Sequence, residues 1–293
     1  MFGDQQQKLQ HLVCLNPKYL NGLLDCELYL RQLKPSTRTK FSFNLAAKRL
    51  SADVMSISKS SSSIAKGESL LDTAKTMEVM GADVVVIRHS APGAAKFLAE
   101  NISASVLNAG DGAHAHPTQA LLDIYSIKEK LGEIAGLKVL IVGDIAHSRV
   151  ARSNIWGLNK LGAEVSVAGP QTLMPREIEK MDVNVYTDLD QALENVDVVN
   201  ILRIQMERQE RGLFPSIREY REIYGMNAER LERIGKNAMI MHPGPMNRGI
   251  EIESSVADSP QSVITEQVKN GVAIRMALLY LLAGREIDNE DLN

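Results

Sequence analysis

Residues 137–169 read "LKVLIVGDIAHSRVARSNIWGLNKLGAEVSVAG". An aliphatic, β-branched run stops at Gly-Asp, a segment with apolar residues three and four apart follows, and a second β-branched run closes the unit. The first and last pieces have strand character and the middle has the period of an amphipathic helix. Two strands joined through a helix lie parallel in one sheet.

The same alternation runs along the chain. Further strand-like runs are "ADVMSIS" (52–58), "ADVVVIR" (82–88), "ASVLNAG" (104–110), "VDVVNILR" (196–203) and "AMIMHPG" (238–244). Helical periodicity marks "SLLDTAKTMEVM", "PTQALLDIYSIKEKLGEI" and the tail "SVITEQVKNGVAIRMALLYLLAG", with Gly132, Gly136 and Gly162 read as helix ends. The predicted fold class is α/β: two doubly wound parallel-sheet domains. At 293 residues the chain has the length for two domains or one large α/β unit. The helix that opens at Pro117 ends in "GEIAGLK", which makes a natural boundary at 133/134.

Composition narrows the classes. With 44% hydrophobic and 24% charged residues and a net charge of -3, there is no basic excess of the kind nucleic-acid binding requires. The start of the sequence lacks the layout of a secretory signal, and "MALLYLLAG" is too short to span a bilayer. A cytoplasmic location without membrane or nucleic-acid partners is expected. Cys14 and Cys26 lack CxxC spacing, so reduced thiols are expected rather than a disulfide or a zinc ribbon.

In open parallel sheets, ligands collect outside the carboxyl ends of the strands. Polar residues of this chain sit there repeatedly: Arg88-His89, "GDGAHAHPTQ", "GDIAHSR", Arg203-Ile204-Gln205 and "HPGPMNR". Together they point to one cationic, hydrogen-bonding site. "LIVGD" lacks the GxGxxG continuation, and GxxxxGK[ST] is absent, which excludes nicotinamide-type and P-loop sites. His114 and His116 alternate without nearby ligands at metal spacing, so no metal is assigned.

"LKPSTRTK" (33–40) precedes the alanine-containing run "FSFNLAAKRL". Ser36, Thr37 and Thr39 with the planar fork of Arg38 at a helix start suit phosphate. An ordinary Ser/Thr helix cap is the simpler reading of that stretch alone. "SISKSSSSIAKGES" reads by itself as a flexible polar loop, Arg149 and Arg203 as surface ion pairs, and "QMERQERGLFPSIREYREIYGMN" as a solvated charged face.

Taken in order, "PSTRTKFSF", "SSSSIAKGESLLDT", "IRHS", "NAGDGAHAHPTQALLDI", "GDIAHSRVARSN", "LRIQMER" and "HPGPMNRGIEI" resemble the catalytic chains of the aspartate carbamoyltransferase family. The resemblance runs from about Pro35 to the end of the sequence. "HPGP", where ornithine enzymes carry a cysteine-containing motif, and "RIQMER" favour aspartate as acceptor.

The resemblance implies a carbamoyl phosphate domain, residues 1–133 plus a returning C-terminal helix at 263–284, and an aspartate domain at 134–262. The implied activity is transfer of the carbamoyl group of carbamoyl phosphate to L-aspartate, in pyrimidine biosynthesis and without a cofactor. It implies a homotrimer with shared sites, with a regulatory chain or a dihydroorotase as further partners. Ser36, Thr37, Arg38 and Thr39 would cradle phosphate. Thr39, Arg88 and His116 would surround the carbamoyl oxygen. Gln119, with backbone around Pro243 and Gly244, would hold the carbamoyl nitrogen. Arg149, Arg203 and Gln205 would take the carboxylates of aspartate, beside the turn that ends at Pro245. Ser62 and Lys66 would enter the site from a neighbouring subunit. The charged segment from Gln205 would form a mobile loop on the aspartate side, and His89, His114, His147 and His242 would have supporting roles.

Two departures stand out. The segment ahead of Pro35, "LLDCELYLRQLK", is shorter and more charged than the apolar strand usual in the family, so the first strand is expected to be absent, distorted or at an edge. Lys34 stands where a glutamate is usual. A lysine beside Arg149 would repel it by roughly 4 kcal/mol at about 4 Å and an effective dielectric near 20. A catalytically impaired homologue that binds phosphate ligands or partner chains is the alternative these departures raise. Lys34→Glu is expected to lower the KM for aspartate or raise the rate in steady-state assays; unchanged kinetics would contradict the repulsion.

Overall fold

The computed structural model describes residues 27–32, 37–58, 67–204 and 216–283. They form two compact units, one from the N-terminal part to Thr118 together with Gly271 onward, the other from Gln119 to Asn270.

The first unit holds a parallel sheet of order β2-β1-β3-β4. Its strands are β1 (Glu27–Gln32), β2 (Asp53–Ser58), β3 (Ala82–His89) and β4 (Ser105–Asp111). The first strand is neither absent nor at an edge, and the distorted alternative survives only as a local irregularity at its start. β1 pairs in parallel with both β2 and β3, an interior place, with one register irregularity between Glu27 and Leu28. Mixed composition does not bar a central strand when both neighbours supply the backbone partners it needs.

Alternation along β3 sends successive residues to opposite faces. Val84 and Val86 pack with Phe43, Ala46, Ala47 and Leu50 of α1 (Thr37–Arg49). Val85 and Ile87 pack with Ala74 and Met77 of α2 (Leu70–Val79) and with Ala94, Ala95 and Leu98 of α3 (Ala94–Ala99). The unit is therefore covered on both faces, as a parallel sheet requires.

The second unit has a parallel sheet of order β7-β6-β5-β8-β9. Its strands are β5 (Lys138–Val142), β6 (Glu164–Ala168), β7 (Asn184–Tyr186), β8 (Val198–Ile201) and β9 (Met239–Met241). Val139 and Ile141 face Ile127 of α4 (Pro117–Leu131) and Ile155 and Leu158 of α5 (Arg149–Lys160). Leu140 and Val142 face the opposite core, with Tyr220 and Tyr224 of α7 (Ile217–Tyr224). α6 (Leu189–Ala192), α8 (Ala228–Arg233) and α9 (Ser254–Ala257) complete this unit's shorter helices.

The strand and helix assignments of 137–169 hold, and the edge strand β7 was not anticipated. Three residues carry too little pattern to be read. Gly132 and Gly162 do follow helices, but Gly136 lies in the turn before β5, with φ +79° and its N–H donating to Gly162 O at 2.8 Å. Part of the charged segment expected as a mobile loop is helical. α7 is amphipathic, capped by Ser216 and anchored by buried Tyr220 and Tyr224; residues 205–215 lie outside the described set.

The unit boundaries fall inside two helices, at Thr118/Gln119 in α4 and at Asn270/Gly271 in α10 (Ile264–Leu282). The end of the chain thus returns to the first unit. Arg275 of α10 donates to Ser42 Oγ at 3.0 Å, and its guanidinium lies 5.1 Å from the centre of the Phe43 ring.

Candidate active site

Thr37, Arg38 and Thr39 open α1, as the phosphate reading requires. Thr39 is buried, Arg38 is exposed, and the first turn contains no acidic residue. The first-turn N–H groups and a guanidinium therefore stand where a helix favours negative charge. Ser36, Lys34, Ser62, Lys66 and Gln205 lie outside the described residues, as does the side chain of Thr37.

Arg88 sits near the end of β3, at a break in register. Ile87 pairs with Asn108, but His89 pairs with Asp111. Such irregularities re-aim side chains. Arg88 Nη1 donates to Ala109 O at 3.2 Å and lies 3.5 Å from His116 Nε2. The other ring nitrogen of His116, Nδ1, faces Thr118 Oγ1 at 3.4 Å.

Asp111 holds the turn that delivers His116. One carboxylate oxygen accepts from Asn108 Nδ2 at 3.0 Å and from Ala115 N–H at 3.1 Å, and the other accepts from Gly93 N–H at 2.8 Å. Burial pushes this carboxyl up, but the bonds from Asn108 and Gly93, with His114 alongside, outweigh it and hold it below its ordinary value. Gly112 has φ +51°, and a Cβ there would come within 2.9 Å of Ser90 O, so the turn admits no side chain.

The second unit carries the other expected residues. Arg149 is the first residue of α5, after Ser148, whose Oγ caps Ala151 N–H at 3.1 Å. A cation at that position opposes the helix dipole and suits a site for an anion. Arg203 follows β8, and Pro243, Gly244 and Pro245 follow β9, with the Gly244–Pro245 bond cis. The loops after β8 and β9 are tied together. His242 Nδ1 accepts Gly244 N–H at 2.7 Å, so its proton is on Nε2, which donates to the fully buried Glu251 at 3.2 Å. Glu251 also accepts from Asn247 Nδ2, which reaches Ile204 O beside Arg203 at 3.0 Å.

The other histidines make hydrogen-bonded contacts of their own. His89 Nδ1 accepts Ala91 N–H at 2.9 Å, His114 meets Asp111 at 3.2 Å, and His147 meets Asp144 at 2.9 Å. Among the described residues, no group of three or more His, Cys, Asp or Glu could hold a metal ion.

The sequence reading missed Asp123, which is almost wholly buried on α4. The available signal was a lone carboxylate in the apolar run "ALLDIYSI", four residues after Gln119. Gln119 Nε2 donates to Asp123 Oδ1 at 2.9 Å. Burial pushes the Asp123 carboxyl up, to about 6, against the opposing pull of hydrogen bonds from Asn154, Gln267, Gln119 and Asn200.

Two family models match the chain. Aspartate/ornithine carbamoyltransferase, carbamoyl-P binding domain, covers residues 10–129, and the Asp/Orn binding domain of the same family covers residues 135–282. The two-domain α/β architecture is that of the carbamoyl-transferring enzymes. The chain belongs to the aspartate/ornithine carbamoyltransferase family.

It is 80% identical over 259 residues to the aspartate carbamoyltransferase catalytic subunit of Halothermothrix orenii, spanning 88% of this chain and 83% of that protein. The aspartate transcarbamoylase of Trypanosoma cruzi in complex with N-(phosphonacetyl)-L-aspartic acid superposes with a TM-score of 0.79 at 28% identity, covering 93% of this chain and 91% of that one. The ornithine carbamoyltransferase of Pyrococcus furiosus superposes with the same TM-score, 0.79, at 27% identity, covering 94% and 96%. Fold alone therefore does not separate the two acceptors.

Asp123 binds its proton more tightly in the fold than at its ordinary value of 3.8. Its contribution to stability is fully present below about pH 4 and is lost as pH rises through about 6. The melting temperature of the unsubstituted protein minus that of Asp123→Asn is expected to fall between pH 4 and 7; a constant or rising difference would contradict the burial of this charge.

Proposed function

We infer that the chain transfers the carbamoyl group of carbamoyl phosphate to the amino group of L-aspartate, giving N-carbamoyl-L-aspartate and phosphate. The observation that carries this reading is the 80% identity to a catalytic subunit of that activity. Sites at the carboxyl ends of the strands support it, because they supply cations and hydrogen-bond donors for a phosphate and two carboxylates. The alternative, an impaired homologue, has no observation in its favour.

Carbamoyl phosphate is already activated, so positioning and oxyanion stabilisation suffice. Ser36, Thr37, Arg38, Thr39 and the neighbour's Ser62 hold the phosphate. The aspartate amine attacks the carbamoyl carbon and a C–N bond forms. Negative charge grows on the carbamoyl oxygen facing Thr39, Arg88 and His116. The C–O bond to phosphate then breaks, and the amine proton leaves with the phosphate. Arg149, Arg203, Gln205 and the neighbour's Lys66 hold the aspartate carboxylates beside the turn 243–245. The carbamoyl phosphate domain is residues 1–133 with 263–284, and the aspartate domain is 134–262.

The working form is a cytoplasmic homotrimer in pyrimidine biosynthesis, open to a regulatory chain or a dihydroorotase. Among the described residues, no helix is long and apolar enough to cross a membrane.

Arg203→Ala is expected to raise the KM for aspartate roughly 10- to 100-fold, the scale of a charge-assisted pair, and to leave phosphate binding by calorimetry intact. Equal loss of phosphate binding would overturn the division of labour. Mixing Lys66→Ala chains with Arg38→Ala chains is expected to restore part of the lost activity, and no recovery in demonstrably mixed trimers would contradict shared sites.

A further inference from the structure

Four side-chain amides converge on Asp123, which touches neither substrate in the mechanism above. Gln119 Nε2 and Gln267 Nε2 reach Oδ1 at 2.9 and 2.8 Å, and Asn154 Nδ2 reaches Oδ2 at 2.8 Å. Asn200 is the fourth. All five residues are buried and lie in the second unit.

An ionised carboxylate has no proton to give, so each amide turns its NH2 toward it. At pH 7.5 Asp123 is above its value of about 6 and is in that form. The orientation of Gln267 is fixed twice, because its Oε1 also accepts His242 N–H at 3.0 Å. For Gln119 the choice is made by Asp123. With Nε2 committed, Oε1 is the atom left to meet a ligand.

A carbamoyl group has an NH2 and a carbonyl oxygen of similar size, so its site has to distinguish the two. A carbonyl oxygen from Gln119 accepts from the NH2, whereas an inverted Gln119 would set NH2 against NH2. The link through Gln267 reaches His242 and, through its ring, Gly244 N–H at 2.7 Å, the other element placed against the carbamoyl nitrogen.

We propose that Asp123 is a positioning residue for carbamoyl transfer, which turns the Gln119 amide oxygen toward the carbamoyl NH2 and holds the 242–245 turn in the same frame. This rests on the reading that Gln119 and the Pro243–Gly244 backbone hold the carbamoyl nitrogen.

A double-mutant cycle separates positioning from general structural support. Asp123→Ala is expected to lower kcat/KM for carbamoyl phosphate about tenfold, the scale of one hydrogen bond. In a Gln119→Ala background the same change is expected to cost less than about twofold, with inhibition by inorganic phosphate unchanged in both. Asp123→Leu, which removes both acceptor oxygens but fills the space, serves if the alanine variant does not fold. An equal loss in both backgrounds, or no loss in the first, overturns the proposal. If the unsubstituted chain forms no carbamoyl-aspartate, the functional reading fails and takes this inference with it; if it does and the cycle is additive, only the inference fails.

Discussion

Parallel pairing is the constraint on which the rest depends. Both sheets are parallel throughout their described strands, so within each sheet every strand releases its chain at the same edge. Apolar cores on both faces leave that edge as the place where polar side chains can gather without a desolvation penalty. Arg88, the turn to His116, the start of α5, Arg203 and the 243–245 turn all occupy such ends. These candidate residues are distant in sequence and share one edge within each sheet for this reason.

The second requirement is rigidity where charge is concentrated. The chain carries a net charge of -3, yet α1 and α5 begin with arginines and no acidic residue. A cation at a helix start opposes the macrodipole, so these positions favour an approaching anion. Buried carboxylates hold the backbone around them. Asp111 fixes the turn before His116, Glu251 joins the loops after β8 and β9, and Asp123 gathers four amides. Each acid accepts several donors, which compensates its burial.

Most of the fold was legible because long β-branched runs and amphipathic segments have distinct periods. The exceptions have physical causes. The charged composition of β1 suggested a strand that is absent, distorted or at an edge, but a strand's place in a sheet is decided by the backbone partners on either side. β7 is too short to show a period. Gly136 adopts the same positive φ as the true helix-end glycines, so glycine alone does not identify what it follows.

The candidate site residues were legible as motifs, and the structure places Arg88, Arg149, Arg203 and the 243–245 turn at or just beyond strand ends. The Asp123 cluster was not, because residues 119, 123, 154, 200 and 267 meet only after α4, α5, β8 and α10 have packed. No spacing in a sequence encodes that meeting beyond the single Gln119–Asp123 turn.

The most direct measurement incubates the purified chain with carbamoyl phosphate and either L-aspartate or L-ornithine, with both products quantified. The expected result is N-carbamoyl-L-aspartate and phosphate in equal amounts with aspartate, and no citrulline with ornithine. Absence of carbamoyl-aspartate, or turnover with ornithine in its place, would contradict the account.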